Sequence, residues 1–126
     1  MRSNVRETYL HLWKSPNYSM HGLRKTFHNE MAFRIELSVA VILIPTALIL
    51  SVSTIIQIIL VGSVVLVLIV ELLNTGIEAV VNRISAEKHH LSGMAKDAGS
   101  AAVFVASLNL VFVWATVFFD LILNNY

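Results

Sequence analysis

Glu71, Asn74, Glu78 and Asn82 fall on one side of the axis if the stretch Glu71-Leu-Leu-Asn-Thr-Gly-Ile-Glu-Ala-Val-Val-Asn82 is helical. Glu71 and Glu78 then sit within about 20° of each other around the helix and about 10 Å apart along it. The stretch closes an apolar run that begins after Glu36. Carboxylates at the end of a membrane-length helix are costly unless they meet partners, water or a cation. A pair of solvated charges at a helix end accounts for Glu78, but Glu71 directly follows Ile69 and Val70. That placement favours a working group over a solvated one.

The composition gives these residues their setting. Of 126 residues, 56% are hydrophobic and 13% charged, the balance of a membrane protein and not of a water-soluble domain. The length suits a single domain spanning residues 1–126. There is no cysteine, which excludes disulfides and thiolate metal sites. Met1 to Arg34 is polar and mixed, without the short apolar region and cleavage site of a signal peptide. No Gly-x-x-x-x-Gly-Lys-Ser/Thr loop supports a soluble P-loop fold. The net charge is +1, and no nucleic-acid partner is expected.

The elements that position the polar face follow from the hydropathy pattern. Residues 1–29 read as an interfacial arm, broken at Ser15-Pro16-Asn17 because proline suits a helix start and not an interior. Beyond it, Met20, Leu23, Phe27 and Met31 recur at helical spacing, giving an apolar face that lies on a membrane or packs on protein. Tyr9, Trp13 and Tyr18 are aromatics of the interfacial type. No charge occurs from Leu37 to Val70. One helix of that length would measure about 50 Å, against a hydrocarbon core of about 30 Å. Ser51-Val52-Ser53-Thr54 is therefore the expected turn, between spans at 31–50 and 54–84. Pro45 should kink the first mildly, with neighbouring helices compensating.

Ser85 to Asp97 is the expected polar connection. His89 and His90 diverge if helical, poor geometry for shared metal ligation, and read as solvated or nucleotide-facing. The third span is expected at 98–123. It opens with Gly99-Ser-Ala-Ala102, small residues that permit close helix approach, and contains Asn109, read as buried interhelical glue. All nine Lys and Arg residues lie up to the start of the first span or between 83 and 96. The positive-inside rule then places the N-terminus and second loop in the cytoplasm.

This topology brings Glu30 and Arg34, then Glu71, Asn74 and Glu78, then Lys96, Asp97 and Ser100 to the cytoplasmic boundary. Three carboxylates with an amide are hard oxygen ligands, suited to Mg²⁺ held partly by a substrate's phosphates. A nearby lysine can neutralise charge on a transferring phosphoryl group. A carboxylate deeper in the membrane can orient or deprotonate a lipid hydroxyl. A small channel or a transporter subunit would carry a similar ring of charges.

Glu71-Leu-Leu-Asn-Thr-Gly-Ile-Glu-Ala-Val-Val-Asn-Arg83, followed by Ala95-Lys-Asp-Ala-Gly-Ser-Ala-Ala-Val103, resembles the bacterial integral-membrane diacylglycerol kinase family. The likeness extends through Gly22-Leu-Arg24 and Asn29-Glu-Met-Ala-Phe-Arg34 to cover nearly the whole chain. The related undecaprenol kinases share Glu-Leu-Leu-Asn-Thr and Lys-Asp. They usually carry Ala-Gly-Ala-Val where this chain has Gly99-Ser-Ala-Ala-Val103, which favours the diacylglycerol branch.

The resemblance implies an all-α membrane protein, a surface helix plus three transmembrane helices per subunit, assembled as a homotrimer in the bacterial inner membrane. It implies phosphoryl transfer from Mg²⁺-ATP to diacylglycerol, giving phosphatidic acid in lipid recycling. By position, Glu71 would be the general base, and Glu30 and Glu78 would hold Mg²⁺ with support from Asn74. His11, Tyr18, Glu87, Lys88, His89, Lys96 and Asp97 would line the nucleotide. Ala32, Arg34, Glu36 and Ser100 would face the lipid. Sites in this family are shared between subunits. Asn82 replaces an aspartate of the best-known members, Lys88 a tyrosine, His11 an arginine, Met20 a tryptophan and Ile35 a glutamine, which bears on nucleotide affinity and lipid preference. The alternatives are an undecaprenol kinase and a non-catalytic membrane assembly subunit.

Overall fold

A computed structural model describes residues 3–84 and 87–124, with side chains from residue 16 onward. Over that range the chain forms four helices: α1 Ser3–Asn29, α2 Met31–Ile49, α3 Thr54–Ile84 and α4 His90–Asn124. They divide between two compact units, Met1–Met31 and Ala32–Tyr126.

The first unit is α1. The expected break at Pro16 is absent, and the helix runs through it. Pro16 is exposed, and an isolated proline bends a helix without ending it when the turns on either side keep their bonds. Met20, Leu23, Phe27 and Met31 are all exposed, as a face awaiting a membrane or a partner would be. Glu30 is the single non-helical residue after α1, and its N–H donates to the Thr26 carbonyl at 2.8 Å.

The second unit holds three helices long and apolar enough to cross a membrane, α2, α3 and α4. α3 occupies the residues expected for the second span, and α2 ends within a residue of its expected end. The turn between them is fixed by side chains. Gln57 Nε2 donates to the Leu48 and Leu50 carbonyls at 3.2 and 3.3 Å, satisfying the last turn of α2. Ser53 Oγ accepts from Ile56 N at 3.4 Å, an N-cap for α3. α4 includes the residues expected for the third span and begins before them. α4 starts at His90, so most of the polar connection after His89 is already helical. Leu91 to Lys96 contains no residue that stops a helix, and Gly93 is tolerated within one.

α3 and α4 form the most extensive helix pair. The core is built by Ala40 and Ala47 of α2, Leu60 and Val64 of α3, and Trp114 of α4. Along α3 the buried residues Leu60, Ser63, Val64, Val67 and Glu71 recur every three or four positions, one stripe facing its neighbours. Ser63 Oγ donates to the Leu60 carbonyl at 2.7 Å, so its hydroxyl is satisfied within the helix. Elsewhere the long helices carry exposed apolar side chains, including Ile58, Phe112 and Phe119. Exposure on that scale belongs to a surface that meets lipid or other subunits.

Candidate functional site

The α3 stripe that packs the core does not end where its apolar residues end. Glu71 takes the next buried position after Val67 and is only 5% exposed. Across from it on α2 stands Glu36, half-buried, and the two carboxyl groups lie close enough to act on each other electrostatically. Glu36 Oε2 is buried with no hydrogen-bond partner. Two acidic groups on facing helices in an apolar setting are an arrangement that packing alone would eliminate.

Glu36 also borders an apolar cavity of about 160 Å³, together with Ile35, Val39, Val67, Leu110 and Val111. The cavity joins α2, α3 and α4, and apart from Glu36 and Ser107 its walls are aliphatic. That combination suits an amphipathic molecule with a polar head and an aliphatic body.

One turn beyond Glu71, Asn74 meets α4. A Cβ placed on buried Gly99 would collide with Asn74 Oδ1, so the Asn74 side chain fills the space that a side chain at position 99 would take. Asn74 Oδ1 is buried without a hydrogen-bond partner. Glu78, next on the face, is half-buried. Asn82, at the end of the face, is exposed and accepts from Lys96 Nζ of α4 at 3.4 Å. Glu71, Asn74, Glu78 and Asn82 thus form the expected face, with Lys96 brought to it from α4. Asp97 and Ser100 follow on α4, and both are exposed.

The expected divergence of His89 and His90 is not found. His89 lies just before α4, its ring stacks on His90 with centroids 4.8 Å apart, and its Nδ1 accepts from Leu91 N at 3.2 Å. The reason is that His89 caps the helix instead of belonging to it. The accepting Nδ1 leaves the proton of a neutral ring on Nε2. Glu87 and Lys88 are exposed beside it. Asn109, expected as buried glue, is exposed on α4 and borders a groove with Leu66, Val70, Ala102 and Val105. Ala106, buried on α4 like Gly99 and Trp114, borders the same groove.

In α2, Ala32 is exposed and Arg34 half-buried, with the Arg34 carbonyl accepting from Ser38 Oγ at 2.8 Å. In α1, Tyr18 is exposed and Glu30 half-buried at the helix end. The side chain of His11 lies outside the described residues. Among the described residues, no three His, Asp or Glu side chains converge as a metal cluster.

Three features of the site escaped the sequence reading. The facing of Glu36 and Glu71 depends on how α2 packs on α3, which no spacing within one helix reveals. The collision point at Gly99 was signalled only by the run of small residues. The Lys96–Asn82 bond was signalled by Asn82 lying on the Glu71 face, without its partner.

The chain compares closely with known proteins. The family model for prokaryotic diacylglycerol kinase matches residues 17–118. A diacylglycerol kinase of Haemophilus influenzae is 48% identical over 109 residues, 86% of this chain and 92% of the relative. The diacylglycerol kinase of Escherichia coli strain K12 is 48% identical over 80% of this chain and 83% of its own. That of Pseudomonas aeruginosa is 47% identical over 79% and 81%. A buried Glu71 at the end of an apolar stripe with half-buried Glu36 across from it, a lysine at the far end of the same face and relatives at this identity lead to one conclusion: the chain belongs to the prokaryotic diacylglycerol kinase family.

Proposed function

We propose that this chain transfers the γ-phosphoryl group of ATP to the free hydroxyl of diacylglycerol, giving phosphatidic acid and ADP. The observation that carries the reading is Glu71, a buried carboxyl group at the end of a packing stripe, beside Glu36 and its apolar cavity. In this reading Glu71 takes the proton from the lipid hydroxyl. The hydroxyl oxygen forms a bond to the γ-phosphorus as the bond to the ADP oxygen breaks. Lys96 offsets charge on the phosphates. Its partner Asn82 is a neutral amide, so the hydrogen bond holds the ammonium without cancelling its charge. Glu36, Ala32, Arg34 and Ser100 receive the lipid. Tyr18, His11, Glu87, Lys88, His89 and Asp97 form the nucleotide's surroundings, with His89 presenting a donor.

Glu30 and Glu78 are the proposed carboxylates for Mg²⁺. The donor set fits a cation that arrives on the triphosphate better than a resident one, since no cluster of three ligating side chains is found among the described residues. When bound, the cation neutralises charge on the β- and γ-phosphates. The chain is further proposed to work as a homotrimer in the inner membrane with its N-terminus cytoplasmic. The exposed groove of Leu66, Val70, Ala98, Ala101 and Ala102 supports close packing of another copy, and the Lys and Arg distribution supports the orientation. A cysteine placed at Ser3 should resist an impermeant thiol reagent in intact cells; labelling from outside would reverse the orientation.

The activity is tested with radiolabelled ATP in mixed micelles, offering diacylglycerol and undecaprenol in turn. Label is expected on diacylglycerol. Preference for undecaprenol would move the chain to the sister activity, and label on neither lipid would make it a non-catalytic subunit.

A further inference from the structure

Asn74 carries a polar atom that the fold leaves unexplained. Its Oδ1 is buried with no hydrogen-bond partner. Across the α3–α4 crossing it meets Gly99. A Cβ on Gly99 would overlap Oδ1 and stand 3.3 Å from Cγ and 3.8 Å from Cβ of Asn74. None of the other four glycines has anything within 4 Å of its Cβ position, so Gly99 alone is required by space.

Glycine has an α-hydrogen along the direction a Cβ would take. That hydrogen points at the Asn74 oxygen, the arrangement of the Cα–H···O contacts found where helices approach closely. Oxygen is the correct end of the amide for this place. An amino group turned against a C–H would leave two donors without acceptors. With the oxygen held in the crossing, the Nδ2 hydrogens are directed away from it. Asn74 stands three residues after Glu71 and four before Glu78, the spacings at which side chains on one helix face meet.

We propose that Gly99 is a positioning residue, whose missing side chain lets Asn74 Oδ1 seat in the α3–α4 crossing and so fixes Asn74 as a hydrogen-bond donor on the Glu71–Glu78 face, not as an oxygen ligand for a cation. This rests on the reading of that face as the phosphoryl-transfer site. Asn74 Nδ2 then serves phosphoryl oxygens, and Gly99 acts only through Asn74.

The test uses the full-length chain in mixed micelles, with kcat, KM for ATP, Mg²⁺ dependence and thermal stability read for each variant. Gly99→Ala should lower kcat by roughly 10²-fold, the scale of a displaced reacting group, while KM for ATP changes little. Asn74→Ala should lower kcat similarly. Gly99→Ala should then add nothing in the Asn74→Ala background, because the new methyl meets only Cβ, at the ordinary contact distance of 3.8 Å. Thermal stability should follow the same cycle, lowered by Gly99→Ala alone and not in the double variant. Asn74→Asp keeps an oxygen in the crossing but loses the donor. It should be as slow as Asn74→Ala, with no rescue by added Mg²⁺.

Wild-type kcat in Gly99→Ala, or losses in kcat and stability that add in the double variant, would overturn the positioning role. An active Asn74→Asp, or one needing less Mg²⁺, would make Asn74 a cation ligand instead. If Gly99→Ala does not fold, the double variant decides. Recovery of folding supports the contact with Asn74, and failure overturns it. Glu71→Gln is run alongside. If Asn74→Ala is fully active while Glu71→Gln is not, this inference falls and the kinase reading stands; if both are fully active, the kinase reading falls as well.

Discussion

The first half of α3 and its second half present the same face to the same neighbouring helices, with opposite residue types. Leu60 and Val64 pack with Ala40 and Ala47 of α2 and Trp114 of α4. Further along the face, Glu71 faces Glu36 of α2, Asn74 abuts Gly99 of α4, and Asn82 holds Lys96. Packing in the first half is the source of rigidity. A residue seven positions further on inherits its direction from the helix, so the apolar half aims the polar half. The second half costs stability and supplies chemistry. Of the three buried, unpartnered side-chain atoms found among the described residues, one, Asn74 Oδ1, is on this half and another, Glu36 Oε2, is on the α2 residue that faces it. Orphaned polar groups gathered in one place are what a site built to receive a ligand displays before the ligand arrives.

If the halves are divided in this way, changes in the second should alter kinetics and changes in the first should alter stability. The largest kinetic effect belongs to Glu71→Gln. Gln keeps size and hydrogen bonding but cannot accept a proton, so turnover should fall by about 10² to 10⁴-fold with binding of an ATP analogue retained. Loss of analogue binding would reassign Glu71 to the nucleotide. Glu78→Gln should act on affinity, raising the Mg²⁺ needed for half-maximal rate by roughly tenfold, with excess Mg²⁺ restoring rate. A variant that no Mg²⁺ concentration rescues would remove Glu78 from the cation's surroundings.

Leu60→Ala probes the other half. Leu60 is fully buried, and truncation should cost about 2–5 kcal/mol of stability, read by denaturation in micelles. The folded fraction should keep its KM and most of its kcat. A collapse of kcat in well-folded protein would mean that the halves are not separable. The smallest effect is expected from Pro45→Ala in α2. Pro45 is exposed and stands well along the helix from Glu36, so turnover should stay within a few-fold of wild type. An order-of-magnitude loss would show that Pro45 helps to aim Glu36.

Much of this division can be read in the chain itself. The spans are apolar runs of membrane length, and a serine-rich interruption separates the first two. The face of Glu71, Asn74, Glu78 and Asn82 follows from spacing within one helix. What could not be read lies between helices. Glu36 ends a polar stretch in the sequence and gives no sign that it meets Glu71, because that depends on the register of α2 against α3. Gly99 is legible as a small residue, but Asn74 as its counterpart is not. The start of α4 was missed because polar residues on an exposed helix carry no hydrophobic period. Pro16 misled for a related reason: an exposed proline removes one hydrogen bond, and that is too little to end a long helix.

The most direct test of the account is Glu71→Leu, read for thermal stability and turnover in the same preparation. Leucine continues the packing stripe of Leu60, Val64 and Val67 and removes a buried acidic group facing Glu36. If Glu71 occupies a packing position and is kept for chemistry, the variant should melt at or above the wild-type temperature. Its phosphorylation of diacylglycerol should fall to about a hundredth or less of the wild-type rate, as expected when a general base is lost. A variant that melts lower, or one that continues to phosphorylate lipid, would contradict the account.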